Sequence, residues 1–245
     1  MKATILIVNF NGAPFLERAI QSASCQTLAR SNYEILVVDD GSTDNSREIL
    51  ERHSHEIVVL PRSHAGLPLA CNAGIRGAKG QYILRLDSDD ELDPTIVSRM
   101  TEVLDSRTDI SMVVSDRWEI EERSGRASLI SVDPRNVFSF IGPGAMVRTN
   151  VLIDIDLYNN LYWEEYDLYI RLLEKYKIFH LPLALYRYYK HATSMTADPS
   201  ARNQGWKTLI AKWGIESLRR YGSSPEMEAV WTRQGSDTGY AESFS

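Results

Sequence analysis

Three apolar runs, residues 4–8, 34–38 and 82–86, each empty into a polar cluster: Asn9-Phe10-Asn11-Gly12, Asp39-Asp40-Gly41-Ser42 and Asp87-Ser88-Asp89-Asp90-Glu91. Short continuous apolar runs suit strands buried on both faces, as in a parallel sheet. Between them, Phe15, Leu16, Ala19, Ile20 and Ala23 recur at helical spacing, Ile49 and Leu50 follow a turn rich in helix caps, and residues 69–78 read as a small-residue helix. Gly74 and Gly77 in that helix would allow close packing. With a further strand at 57–60, the pattern predicts an α/β fold with a mostly parallel, Rossmann-like central sheet flanked by helices. Ligands bind such sheets beyond the carboxyl ends of the strands, so the three clusters are expected on one edge.

The acidic cluster constrains the chemistry there. On an extended chain Asp87 and Asp89 share a face while Ser88 points away. Converging carboxylates raise each other's pKa unless a cation sits between them, and an oxygen pair suits a hard divalent ion, Mg²⁺ or Mn²⁺. Asp93-Pro94 is a helix-start signal for the helix carrying Ile96, Val97, Met100, Val103 and Leu104. A cap needs only Asp93 and leaves the aspartates before it unexplained. A calcium-binding EF-hand loop is excluded, since Leu92 and Ser98 stand where it needs glycine and glutamate. After the first strand only Gly12 occurs in place of G-x-G-x-x-G, so NAD is not expected.

The 245 residues, 43% hydrophobic and 24% charged, form no stretch near the ~20 apolar residues of a membrane span. Residues 1–9 read as a buried strand rather than a secretion signal. Cys25 and Cys71 have no paired spacing, so neither a disulfide framework nor a zinc site is indicated, and a reducing cytoplasm is the expected compartment. A formal net charge of -6 without a basic block argues against nucleic acid as a partner.

Later in the chain, residues 111–118 and 145–148 read as strands and 119–126 as a charged turn. Residues 163–173 read as a helix with acids in its first turn, where the dipole favours anions. Its Glu165 and Asp167 would point to nearly opposite sides. A last strand at 185–189 leads to Lys190-His191, and a terminal helix is expected at 206–219. From Gly222 the chain is polar and weakly patterned, which reads as a mobile tail or an attachment to a partner.

In its ILIVNFNG, Gln26-Thr27, EILVVDDGSTDNS, NAGIRGAKGQYILRLDSDD, EEYDLYIRL and YRYYKH segments, the last trailed by Ser194-Met195-Thr196, the chain resembles glycosyltransferase family 2 over most of residues 1–196. These are inverting, nucleotide-sugar-dependent enzymes of the GT-A fold. The resemblance implies a transferase domain over 1–200, with a nucleotide-binding half 1–105 and an acceptor-binding half 106–200, followed by a C-terminal helix and tail at 201–245. It implies that Val8, Phe10, Asn11, Asp40, Cys71, Asp87 and Ser88 surround the nucleotide, Phe10 stacking on the base and Asp40 accepting from a pyrimidine N–H. The donor would then be UDP- or dTDP-linked. Asp39 is structural or faces the ribose.

Asp87-Ser88-Asp89 looks like the family's D-x-D motif, which makes Asp89 a ligand of a divalent metal on the diphosphate, assisted by His191. Glu164-Glu165 stands at the family's Glu-Asp pair, so Glu165 is the implied general base, one methylene longer than the usual aspartate. Asp90, Glu164 and Asp167 are supporting candidates, and Arg85 or Arg76 is a candidate to replace an arginine that many members carry where this chain has Cys71. The implied partners are a nucleotide-sugar donor and a glycan or lipid-linked acceptor, with peripheral association at the inner membrane face compatible with the latter. Sugar and acceptor identities are not legible, because their contacts come from the variable stretch between 105 and 165. Two rivals remain: a nucleotidyltransferase, whose glycine-rich basic first loop is missing, and a silent nucleotide-sugar-binding protein, favoured by the changes at Glu165 and Cys71.

Overall fold

A computed structural model describes residues 1–237. In chain order it contains β1 (Ala3–Asn9), α1 (Ala13–Ser24), β2 (Tyr33–Asp39), α2 (Ser46–Arg52), β3 (Val58–Pro61), α3 (Leu67–Gly77), β4 (Tyr82–Asp87), β5 (Glu91–Leu92) and α4 (Ile96–Ser106). There follow β6 (Ile110–Glu121), β7 (Ala127–Ile130), β8 (Ala145–Arg148), α5 (Thr149–Asp154), α6 (Glu164–Leu173), β9 (Lys177–Lys190), α7 (Pro199–Trp213), α8 (Ile215–Arg219) and α9 (Pro225–Asp237). No helix among the described residues is long and apolar enough to cross a membrane.

The sheet order is β3-β2-β1-β4-β8-β6-β9-β5, with β7 paired to β6 as a hairpin. The first four strands are parallel, as the buried-type runs predict; β8 then joins β4 antiparallel, and β9 runs parallel to β6. β4 and β5 are nearly consecutive in sequence yet stand four steps apart in the sheet. Four steps in a flat sheet would span about 19 Å, more than the ~14 Å that the intervening chain can reach. The sheet therefore curls, bringing its far edge, β9 and β5, over the carboxyl end of β4.

Alternation along the strands feeds two cores. Ile5, Ile7, Ile35, Val37, Leu84 and Leu86 face α1, α2 and α4, while Leu6, Val8, Leu36, Val38 and Ile83 face α3 and the C-terminal helices. At Gly74 an added Cβ would lie 2.3 Å from Leu6 Cδ1, so this glycine lets α3 lie against β1; at Gly77 the nearest atoms are 3.9 Å away and the space is ordinary.

The structure departs from the sequence reading in four places. β6 runs on to Glu121 because its end pairs with β7, as in Trp118 opposite Leu129. β9 begins at Lys177, well before 185; its pairing with β6 shifts register between Ser115/Leu181 and Asp116/Ala184, so Pro182 falls at the irregularity where proline is tolerated. The expected single helix at 206–219 starts earlier, at Pro199, and breaks at Gly214 (φ 74°). What reads as a polar tail from Gly222 includes α9, whose Met227 and Val230 are buried against the core in an otherwise polar sequence. The last stretch of that tail, 238–245, lies outside the described residues.

Candidate active site

Parallel register sets the first three polar clusters side by side: Asn9 pairs with Asp39, and Val8 with both Val38 and Asp87. The loops beyond are cross-tied. Asn9 Nδ2 donates to Ser42 Oγ at 3.0 Å, and Ser42 Oγ donates to Asp39. Asn11 holds a left-handed φ of 52° and accepts from Thr43 N at 2.8 Å. Asp39 and Asn11 thus build the loop. Phe10 is left outside, 45% exposed, with the His64 ring stacked on it at 3.9 Å and 21°. Asp40 is buried and accepts from Gly66 N at 2.9 Å and Ala65 N at 3.2 Å; His64 Nδ1 lies 2.8 Å and Arg62 Nε 3.1 Å from its carboxylate. No motif in the sequence singled out His64.

The acids after β4 converge by a different route from the one expected. The strand ends at Asp87, and a tight turn closed by Asp90 N donating to Asp87 O (3.1 Å) follows, so strand alternation does not govern Asp89. The turn still gathers Asp87, Asp89 and Asp90, whose oxygens lie within 4.8 Å of one another. Asp90 is the inner member, 0% exposed, accepting from Tyr186 OH and Tyr189 N at 2.7 Å each. Burial, then Asp89 and Asp87, hold its carboxyl well above the usual range. Asp89 faces His191, with Oδ2 to Nε2 at 2.9 Å. Burial and the Asp87 charge push Asp89 up as well, against the pull of His191. His191 is fixed by stacking on Phe15 at 4.5 Å and by Thr193 Oγ1, 2.9 Å from Nδ1. An oxygen-rich set with one imidazole, carrying more negative than positive charge, fits Mg²⁺ or Mn²⁺. Ser88 is half-buried against the loop after β1.

Arg85, buried in β4, joins this turn to α6. Its Nε donates to Asp87 Oδ1 at 2.8 Å and its Nη1 to Glu164 Oε1 at 3.0 Å. Cys71 is 0% exposed and does not line the cavity; burial pushes its thiol up to about 12. Arg76 is exposed, so the cation beside Asp87 is Arg85. Next to Glu164, Glu165 has a buried Oε2 with no hydrogen-bond partner in the protein. Burial and the adjacent Glu164 hold its carboxyl well above the usual range, opposed by Arg85. Asp167 turns the other way, as its helical position requires. It accepts from Asn159 Nδ2 (2.7 Å), Trp213 Nε1 (2.9 Å) and Arg171 Nε (3.0 Å) and pairs with Lys212. Burial raises its pKa, but these partners outweigh that and leave it lowered, so Asp167 anchors α7.

Arg85, Asp87, Asp89, Glu164 and Glu165 line one cavity of about 560 Å³. Phe10, Asn11 and Asp40 lie outside it, on the neighbouring strand ends, and His191 touches it only through Asp89. The opposite wall comprises Tyr166, Tyr188, Arg202, Trp206 and Glu226, none of which the sequence pointed to. Tyr166 stacks on Trp206 at 5.5 Å and 18°, and Trp163 leans on both. Aromatic residues at helical spacing read as core until the fold shows that one side faces a cavity.

The sequence profile described as Glycosyl transferase family 2 matches residues 4–161. An uncharacterized glycosyltransferase of Nostoc sp. (strain PCC 7120 / SAG 25.82 / UTEX 2576) is 40% identical over 107 residues, 42% of this chain and 33% of that protein, so the match spans about a third of the relative's length. Among solved structures, S. aureus TarS 1-349 in complex with UDP-GlcNAc superposes with a TM-score of 0.72 at 18% identity, covering 96% of this chain and 73% of that one. The mannosyltransferase PcManGT from Pyrobaculum calidifontis in complex with GDP-Man and Mn2+ superposes with a TM-score of 0.68 at 14% identity, covering 98% and 81%. These likenesses establish a GT-A fold.

Proposed function

The chain belongs to glycosyl transferase family 2, and on that premise we propose that it moves a sugar from a nucleoside diphosphate donor to an acceptor hydroxyl in a single inverting displacement. The donor is UDP- or dTDP-linked, and the acceptor is a glycan or a lipid-linked saccharide met at the inner membrane face. The observation that carries this reading is a single cavity lined both by Asp87 and Asp89 of the acidic turn and by Glu165, whose Oε2 has no hydrogen-bond partner. The nucleotide sugars held by the two solved relatives, UDP-GlcNAc in TarS and GDP-Man with Mn2+ in PcManGT, support a nucleotide-sugar donor.

The acceptor oxygen attacks the anomeric carbon as the bond from that carbon to the diphosphate oxygen breaks, and the acceptor's proton passes to Glu165. A base held above the ordinary carboxylate range lies nearer to working pH and is the better proton acceptor for it. Arg85 bonds both Glu164 and Asp87, which ties the base-bearing helix to the acidic turn. Phe10 and Asp40 would offer the pyrimidine a stacking face and a carboxylate where the His64 ring now lies against both. Asp89 and His191, beside Asp87, would hold Mg²⁺ or Mn²⁺, which when bound supplies electrostatic stabilisation of the leaving diphosphate.

Following nucleoside diphosphate release from UDP-, dTDP- and GDP-sugars, with Mn²⁺ and with EDTA, tests this. Slow release from a pyrimidine donor, stopped by EDTA, is expected. Binding without release under every condition would instead indicate a nucleotide-sugar-binding protein.

A further inference from the structure

The acidic turn is held from behind by one face of α1. Phe15 and Arg18 stand three residues apart on that helix, so they share a face. Phe15 stacks on the His191 ring at 4.5 Å, and Arg18 Nη2 donates to the main-chain oxygen of Asp89 at 2.6 Å. The two residues that would hold the metal therefore rest on the same helix, one by its ring and the other by its backbone. No motif in the sequence pointed to Arg18, and a charged residue on an amphipathic helix ordinarily belongs to the solvated face.

The rest of the guanidinium is braced. Nη1 donates to Glu122 Oε1 at 3.1 Å, Nη2 also reaches Glu122 Oε2 at 3.3 Å, and the group lies 3.7 Å over the Tyr189 ring. Glu122 opens the loop between β6 and β7, and Tyr189 belongs to β9. A planar cation forked onto a carboxylate and stacked on a ring has little rotamer freedom left to lose in bonding the turn.

What that bond fixes is the peptide between Asp89 and Asp90. Its carbonyl accepts from Arg18, and its N–H, on Asp90, donates to Asp87 O at 3.1 Å. With both polar groups engaged the planar peptide is pinned, and the side chains of Asp89 and Asp90 leave from its two ends. Oxygens of Asp87, Asp89 and Asp90 stand within 4.8 Å of one another and repel when ionised, and rotation of this peptide would part them. Arg18 opposes that rotation through a charge-assisted bond while taking up no carboxylate oxygen of the turn.

We propose that Arg18 is a positioning residue for the metal: it fixes the Asp89–Asp90 peptide while Phe15 fixes His191, so that α1 keeps the acidic turn in its cation-binding arrangement. This rests on reading the turn as the divalent-metal site of a nucleotide-sugar transferase.

The test is titration calorimetry of UDP on the full chain, with Mn²⁺ and with EDTA, beside EPR of free Mn²⁺, whose signal falls as the ion binds. Wild type should gain UDP affinity from Mn²⁺. In Arg18→Gln that gain and the Mn²⁺ affinity should fall about 10- to 100-fold, the range for losing a group that orients a metal ligand, while UDP affinity in EDTA stays unchanged. Arg18→Lys, which keeps a cationic donor without the fork, should restore part of the gain. If Arg18→Gln fails to fold, Arg18→Met, which keeps an apolar stem against Tyr189 and removes every donor, is read in its place. A full Mn²⁺ response in the glutamine or methionine variant would overturn the proposal, and so would an equal loss of UDP affinity with Mn²⁺ and with EDTA, which marks a general support of the fold. A wild type that gains nothing from Mn²⁺ would remove the metal reading itself and this proposal with it, whereas a responsive wild type beside equally responsive variants removes only the role of Arg18.

Discussion

The two ends of the cavity are built on opposite principles. At the acidic turn, the end of β4 and the tight turn after it deliver their side chains, and most are already engaged: Asp87 by Arg85, Asp89 by His191, Asp90 by Tyr186 and Tyr189. Along α6 and the wall opposite the turn, side chains arrive from α6, β9, α7 and α9, and polar atoms are left over on Glu165 and Arg202. A site gathered by a tight turn at a strand end is largely finished before any ligand arrives. A site assembled by helix packing retains unspent hydrogen-bonding capacity, and that capacity is where chemistry and selectivity are expected.

The sharpest way to break this contrast is Glu165→Gln. Removing a general base typically costs about 10² to 10⁴ in rate, while UDP and Mn²⁺ binding, made by the acidic turn and the strand ends, should persist. The acid limb of kcat/KM should lie above the ordinary carboxylate range, since burial and Glu164 raise the Glu165 pKa. Asp167→Asn should instead loosen α7 and lower the melting temperature. Near-normal turnover in the glutamine variant, with loss in Asp167→Asn, would transfer the base role to Asp167.

At the finished end, Asp89→Ala should abolish the gain in UDP affinity that Mn²⁺ brings, and His191→Ala should reduce it about tenfold or more, as loss of a supporting metal contact does. Titration calorimetry with and without Mn²⁺ reads both. An unaltered metal response in Asp89→Ala would leave the acidic turn a structural feature.

The same contrast explains what the sequence disclosed. β1, β2 and β4 are local apolar runs, and their polar ends converge because parallel register has few alternatives, so the sheet and Asp87 and Asp89 were legible. Strand alternation, the reason first offered for their convergence, fails at Ser88, where a turn does the gathering. Arg85 was one of two arginine candidates, and only burial between Asp87 and Glu164 distinguishes it from Arg76. Arg202, Glu226 and α9 were illegible because their partners are remote: Met227 and Val230 stand in a short, weakly patterned stretch, and their burial depends on a core assembled elsewhere.

A smaller effect is expected at Phe10. Stacking of a base on an aromatic ring contributes about 1–3 kcal/mol, so Phe10→Ala should weaken UDP binding by roughly 5- to 150-fold. His64 already covers one face of Phe10 and contacts Asp40 as a base N–H would. His64→Ala therefore tests whether the imidazole competes with the base or clasps it: tighter UDP binding indicates competition and weaker binding a clasp. Equal affinity for GDP and UDP in the wild type would remove the pyrimidine assignment from Asp40.

The smallest effect is on stability, and its sign is the informative part. The folded protein raises the Glu165 pKa, so it holds this proton more tightly than the unfolded chain does. The stability associated with that difference is fully present below the unfolded value, about 4.3 for glutamate, and is lost as the pH climbs through the folded value. Above the folded value the ionised, buried carboxylate is a liability that the glutamine variant lacks. Glu165→Gln should therefore melt higher than the wild type at neutral pH, on the order of a few degrees for a chain of this size, with the gap closing towards pH 4. Glu164→Gln should go the other way, because it strips a buried arginine of one of its carboxylates. Melting curves of both variants across that pH range decide the matter: a glutamine variant at position 165 that melts below the wild type at neutral pH would mean that the Glu165 carboxylate is a bonded part of the fold, and the contrast between a finished end and an unspent wall would not hold.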